Sequence, residues 1–151
     1  MESAGLPGGS RTMAGTQISP DAELLAAARA AAEGAYAPYS RFRVGAAVRA
    51  DGRIHRGSNV ENASYGLSIC AERVAIFAAV AAGARRIDAV ALACIDASAD
   101  AAPAALMPCG ACRQVMAEFA GADLGVHVDR AGSFALGALL PEAFSLERRE
   151  P

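Results

Sequence analysis

The chain predicts an α/β fold, a three-layer α/β/α sandwich around a mixed five-stranded sheet. Three observations predict it. Apolar periodicity gives elements in the order α-β-β-α-β-α-β-β. The first two strands are joined by a two-residue turn signal, Asp51-Gly52, which makes an antiparallel hairpin. Beyond the hairpin, helix and strand patterns alternate, the arrangement that covers a sheet with helices. At 151 residues the chain is long enough to bury a core without disulfide support. Residues 18–151 are expected to form one catalytic domain, and 1–17 a disordered leader with Met13 as an alternative start.

The elements follow in order. Ser19-Pro20-Asp21 opens a helix with a capping hydroxyl, a proline at the first helical position and an acid in the first turn. It runs from Asp21 to about Ala35, with Leu24, Leu25, Ala28, Ala31 and Ala32 on one stripe, and Tyr36 to Ser40 breaks it. Phe42 to Ala50 alternates, with Val44, Ala46 and Val48 on one face, and Arg53 to Val60 returns as the second strand. Ser64 to Ser68 is a loop. Cys70 to about Ala82 is a helix, with Val74, Phe77, Ala78 and Ala81 as its apolar face and Gly83 past its end. Ile87 to Ile95 is a continuous apolar run, the pattern of a strand buried on both faces. Ala97 to Met107 reads as a flexible loop. Pro108 opens a helix from Cys109 to about Phe119. Leu124 to Val128 and Ser133 to Leu136 are the last strands, and the tail Leu139 to Phe144 is too apolar for a solvated end.

Composition narrows the function. The net charge is −2 and no stretch concentrates Lys and Arg, so the chain lacks the basic face a nucleic-acid partner requires. No uncharged apolar run approaches the length of a membrane span. Four cysteines without a secretory signal point to thiols or metal in the cytoplasm, in place of a disulfide framework.

Three of those cysteines lie in Cys70-Ala71-Glu72 and Pro108-Cys109-Gly110-Ala111-Cys112. Cys70, Cys109 and Cys112 are the candidate ligands of one zinc ion with an open fourth position, and Glu72 is placed to move protons there. Both segments fall at expected helix N-termini, whose free N–H groups stabilise thiolate and draw charge from sulfur. Arg73 is expected to donate a hydrogen bond to a ligand sulfur. Two other readings stay open. Cys109-x-x-Cys112 has the spacing of a redox pair, although the third cysteine stands on a separate helix. A fourth ligand, with Cys94 as the spare thiol, would make the zinc structural and the protein a non-catalytic interaction module. His55 and His127 sit in strands and are read as non-ligands.

The chain resembles the small zinc-dependent cytidine deaminases. Five blocks carry the resemblance: 39–47 (YSRFRVGAA), 57–66 (GSNVENASYG), 70–73 (CAER), 108–114 (PCGACRQ) and 139–144 (LLPEAF). Together they span roughly Ile18 to Phe144 in the family's order. The resemblance implies hydrolytic deamination of cytidine and 2′-deoxycytidine to their uridine counterparts, with release of ammonia in pyrimidine salvage. It implies Glu72 as proton shuttle, Asn59 and Glu61 on the ribose hydroxyls, Phe42 against the pyrimidine ring and the Ala71 backbone N–H on the pyrimidine carbonyl. It further implies a homotetramer with shared active sites, Tyr65 and Phe144 reaching a neighbouring subunit's site. A deaminase of another cytosine nucleoside, such as an aminoacylnucleoside antibiotic, shares the same metal core and is the rival within the class. The chain departs from the pattern at Arg43, where many relatives carry proline, and at Ser68-Ile69, where some have another cysteine.

Overall fold

The computed structural model describes residues 18–148. The expected leader, residues 1–17, and the alternative start at Met13 lie outside the described residues. One sheet organises the chain, in the order β2-β1-β3-β4-β5. Its strands are β1 (Val44–Ala50), β2 (Arg53–Ser58), β3 (Ala89–Cys94), β4 (Gly125–Val128) and β5 (Gly132–Ala135). β1 pairs antiparallel with both β2 and β3, β3 pairs parallel with β4, and β4 pairs antiparallel with β5, so the sheet is mixed. The β1–β2 turn has positive φ at both Asp51 (49°) and Gly52 (71°), as a tight hairpin requires.

Helices cover both faces, giving the three layers. Helix α1 (Ala22–Ala32) lies on one face, where Leu24 and Ala28 pack against Ala47, Ala91 and Ala93. Helices α2 (Ala71–Ala81) and α3 (Gly110–Phe119) lie on the other, with the single helical turn α4 (Leu136–Leu139) beside them. This second face holds the larger core, which includes Val48, Ile76, Ile87, Val90, Leu92 and Met116. β1 is buried continuously from Gly45 to Val48, because helices cover both of its faces. The alanine content serves these helix–sheet seams. A Cβ on Gly45 would lie 2.0 Å from the Ala28 carbonyl oxygen and 2.3 Å from the Ala32 nitrogen, so only glycine lets α1 sit so close.

Several boundaries differ from the expectation, each for a local reason. Asp21, not Ser19, caps α1, and its carboxylate accepts the Leu24 N–H at 3.0 Å. The helix ends at Ala32 because the Tyr36 N–H turns to the Asn59 carbonyl, joining the chain to the strand end of the hairpin. The apolar face of α2 is Ala71, Ala75, Ile76 and Ala79 instead of the Val74–Phe77–Ala81 face, and Phe77 stands 48% exposed. The helix is apolar nearly all round, so periodicity left two faces eligible. The small-residue face alone fits against β2. The loop 97–107 contains a 3₁₀ turn, Pro103–Leu106, that buries Leu106. Residue 136 begins α4 and does not extend β5.

Candidate active site

The parallel β3–β4 pair and its flanking helices bring two separate chain segments together. Cys70 is the N-cap of α2 and Cys109 the N-cap of α3, while Cys112 lies in the first turn of α3. Neither capping cysteine uses its side chain to cap, which leaves each sulfur free for another partner. The Cys70 and Cys109 sulfurs are 4.0 Å apart, those of Cys109 and Cys112 3.5 Å, and all three lie within 4.8 Å of one another. A tetrahedral ion with zinc–sulfur bonds of about 2.3 Å requires sulfur separations of about 3.8 Å, so the donor set fits zinc. Among the described residues no fourth histidine, cysteine or carboxylate joins this cluster. Cys94 and His127 stand outside it, and the His127 Nδ1 is 2.8 Å from the Ser133 hydroxyl.

The electrostatics suit a thiolate site. The neighbouring Cys112 thiol and then the Arg73 guanidinium hold the Cys70 thiol down to about 5. Cys112, which shares that charge and is buried, is pushed up instead. Arg73 Nη2 donates to the Cys70 sulfur at 3.4 Å, as expected from its place beside Glu72. Glu72 is only 4% exposed, and burial raises its carboxyl to about 7, with the Cys70 thiolate adding to the rise. A carboxyl poised near neutrality can both accept and return a proton.

Glu72 and Cys70 open onto a cavity of about 270 Å³, which Phe42, Asn59, Glu61 and Ala71 also line. This space matches a small, partly aromatic ligand. Ala71 is the first residue of α2, where helical N–H groups have no intrahelical acceptor. Asn59 does a second job: its Oδ1 accepts the Val44 N–H and its Nδ2 donates to the Phe42 carbonyl, each at 2.9 Å. Glu61 likewise accepts the N–H groups of Tyr39 and Ser40 and the Ser40 hydroxyl. These bonds fix the segment that carries Phe42, and each side chain still faces the cavity. Tyr65 and Phe144 are 79% and 69% exposed and do not line it.

Sequence reasoning missed part of the wall. Cys94, read as ordinary core, lines the cavity at the end of β3, where it pairs with Val44. Met107 and Ala105 come from the 97–107 segment. Arg43 also has a role that its position did not reveal. Its N–H and guanidinium both bind Asp96, at 2.8 to 2.9 Å, and Nη1 reaches Glu33 at 2.7 Å. A proline there would lack that N–H.

A three-layer fold that gathers three thiols beside a buried carboxyl, with Cys70, Cys109 and Glu72 on one cavity, fits the class of zinc-dependent hydrolases. Residues 18–127 match the sequence pattern described as "Cytidine and deoxycytidylate deaminase zinc-binding region". The chain belongs to this cytidine and deoxycytidylate deaminase family. A cytidine deaminase of Halalkalibacterium halodurans is 48% identical over 129 residues, 82% of this chain and 93% of that protein. One of Mycobacterium tuberculosis is 50% identical over 119 residues, 78% of this chain and 84% of the relative. Among crystal structures, cytidine deaminase from Mycobacterium tuberculosis superposes with a TM-score of 0.72 at 46% identity, over 82% of this chain and 96% of its own. That from Burkholderia pseudomallei gives 0.71 at 46%, over 81% and 97%.

Proposed function

We propose that the chain catalyses hydrolytic deamination of cytidine and 2′-deoxycytidine to uridine and 2′-deoxyuridine, with release of ammonia, in pyrimidine salvage. The observation that carries this reading is the buried Glu72 carboxyl beside a three-thiol cluster that, among the described residues, gains no fourth protein ligand. The kinship with named cytidine deaminases at 48–50% identity supports the substrate.

Cys70, Cys109 and Cys112 would hold one zinc per chain, which when bound supplies the Lewis acid that makes water nucleophilic at neutral pH. Glu72 takes a proton from the attacking water as its oxygen bonds to C4 of the cytosine ring, and delivers that proton to N3. Glu72 then carries the hydroxyl proton to the amine, the C4–N bond breaks and ammonia leaves. The Ala71 N–H binds the pyrimidine carbonyl, Phe42 flanks the ring, and Asn59 and Glu61 bind the ribose hydroxyls with the donor and acceptor capacity their loop bonds leave over. Arg73 adds to Cys112 in favouring the Cys70 thiolate.

The same reading includes a homotetramer in the cytoplasm, with Tyr65 and Phe144 reaching a neighbour's site. Their exposure supports it, as does the half-exposed Phe77. No helix among the described residues is long and apolar enough to cross a membrane.

The test is the ultraviolet absorbance of cytidine incubated with zinc-replete protein, with uridine and ammonia confirmed as products. Glu72→Ala is expected to keep its zinc and lose about 10²- to 10⁴-fold in turnover, the range a proton shuttle supplies. Turnover surviving that change would remove Glu72 from the mechanism. A wild-type protein with one zinc and no conversion would point to another cytosine nucleoside or to structural zinc.

A further inference from the structure

The cavity wall formed by residues 97–107 is tied to the body of the protein from outside the site. Its backbone hydrogen bonds among the described residues are local: Ala97 to Cys94, Ala101 to Ser98, Ala105 to Ala102. Leu106 anchors it by burial, and on either side of that residue Ala105 and Met107 face the cavity. Ala97, Ala101 and Met107 add partly buried contacts with the core, and the side-chain hydrogen bonds to the segment come from Arg130, in the turn between β4 and β5. Its Nη1 donates to the Ser98 carbonyl at 3.1 Å, and its Nη2 to the carbonyls of Cys94 at 3.2 Å and Ala97 at 3.4 Å. One guanidinium thus holds three carbonyls at the root of the segment, charge-assisted bonds that neutral groups would not match. Cys94, whose carbonyl it takes, lines the same cavity.

Backbone geometry separates this role from turn formation. Arg130 has φ 64°, a conformation that favours glycine. Nothing in the turn itself calls for a long side chain there. The side chain is explained by what it reaches.

We propose that Arg130 is a positioning residue, which holds the 97–107 segment as a wall of the nucleoside cavity while touching no substrate. The kinetic part of this inference rests on the cytidine reading above. A wall that is loose before binding must be ordered by the substrate, and that cost falls on ground state and transition state alike, so it appears in KM and leaves kcat.

The decisive variant is Arg130→Gly, which suits the turn backbone and removes only the tether. Zinc-replete wild type, Arg130→Gly and Arg130→Lys are compared by steady-state kinetics on cytidine, by amide hydrogen exchange and by thermal midpoint. Arg130→Gly is expected to keep a cooperative melt, to exchange faster across 97–107, and to raise KM about tenfold with kcat within about twofold. Arg130→Lys, which keeps the charge with fewer donors in reach, should recover part of the KM. Unchanged exchange across 97–107 in Arg130→Gly overturns the proposal, and so does faster exchange with KM within about twofold of wild type. Wild type without cytidine turnover would overturn the substrate reading instead, and the exchange comparison would still decide whether Arg130 holds the wall.

Discussion

Gly57 of β2 and Ala75 of α2 meet backbone to backbone. A Cβ on Gly57 would lie 2.4 Å from the Ala75 nitrogen and 2.7 Å from the Ala71 carbonyl oxygen. The helix that carries Cys70 and Glu72 is seated on that contact. Gly57→Ala must push α2 off the sheet, because backbone atoms cannot rotate aside. Its expected cost is about 3 kcal/mol or more in urea unfolding, with weakened zinc retention from the displaced Cys70. Wild-type stability in that variant would mean that α2 is not fixed by this seam.

Arg73 presents a second, electrostatic dependence. Its Nη2 bonds the Cys70 sulfur, its Nε is buried without a partner, and its charge acts on both Cys70 and Cys112. Replacing it with glutamine lets the Cys70 thiol rise from about 5 toward its ordinary value. Zinc affinity at pH 7 is expected to fall about 10- to 100-fold, with the midpoint of pH-dependent zinc release moved to higher pH. Competition against a colorimetric chelator measures both.

Glu72 makes the zinc-free protein pH-sensitive. Its folded carboxyl titrates near 7, against an ordinary 4.5. Between those values the folded state keeps a proton that the unfolded chain has released. The contribution is therefore complete below the lower value and is lost as pH rises toward the upper one. Compared with Glu72→Gln, the zinc-free wild type should lose roughly 2–3 kcal/mol between pH 5 and pH 8. Denaturant titrations of both proteins at the two pH values give the difference directly, and parallel curves would contradict it.

Cys94 separates the metal from the cavity. It lines the space that opens on Glu72 but stands outside the thiol cluster, and burial pushes its thiol up to about 11, so it stays protonated. Cys94→Ala is expected to keep one zinc per chain by metal analysis while changing KM for cytidine. Loss of the metal would make it a fourth ligand and the site structural.

Much of the site was legible in the sequence because its chemistry is local. Cys70-Ala71-Glu72 and Cys109-x-x-Cys112 each occupy one helix start, and the combination of a cysteine with its glutamate and a later Cys-x-x-Cys favours a shared zinc ion over a redox pair. The sheet was legible for the same reason, since the hairpin and the apolar run at 87–95 are continuous patterns. Tertiary choices were hidden. The face of α2 was decided by Gly57 on a different element, and Phe77 lost to alanine because only the smaller face fits. Arg43 and Arg130 look like surface cations until the fold brings Asp96 and the carbonyls of 94–98 within reach. Asn59 and Glu61, at a strand end, suit backbone binding as well as sugar recognition, but that their partners lie around Phe42 is visible only in the fold.

Cys70 and Cys109 are 39 residues apart in the chain and 4.0 Å apart at sulfur. An ion bound between them is also a cross-link, closing a loop long enough that a covalent staple of the same span would add about 3–4 kcal/mol. The metal therefore does two jobs at once, as reagent and as stitch. Molecules that miss it lack turnover and are also the easiest to open, so in a zinc-poor cell proteolysis would clear the idle copies first and leave the pool enriched in working ones.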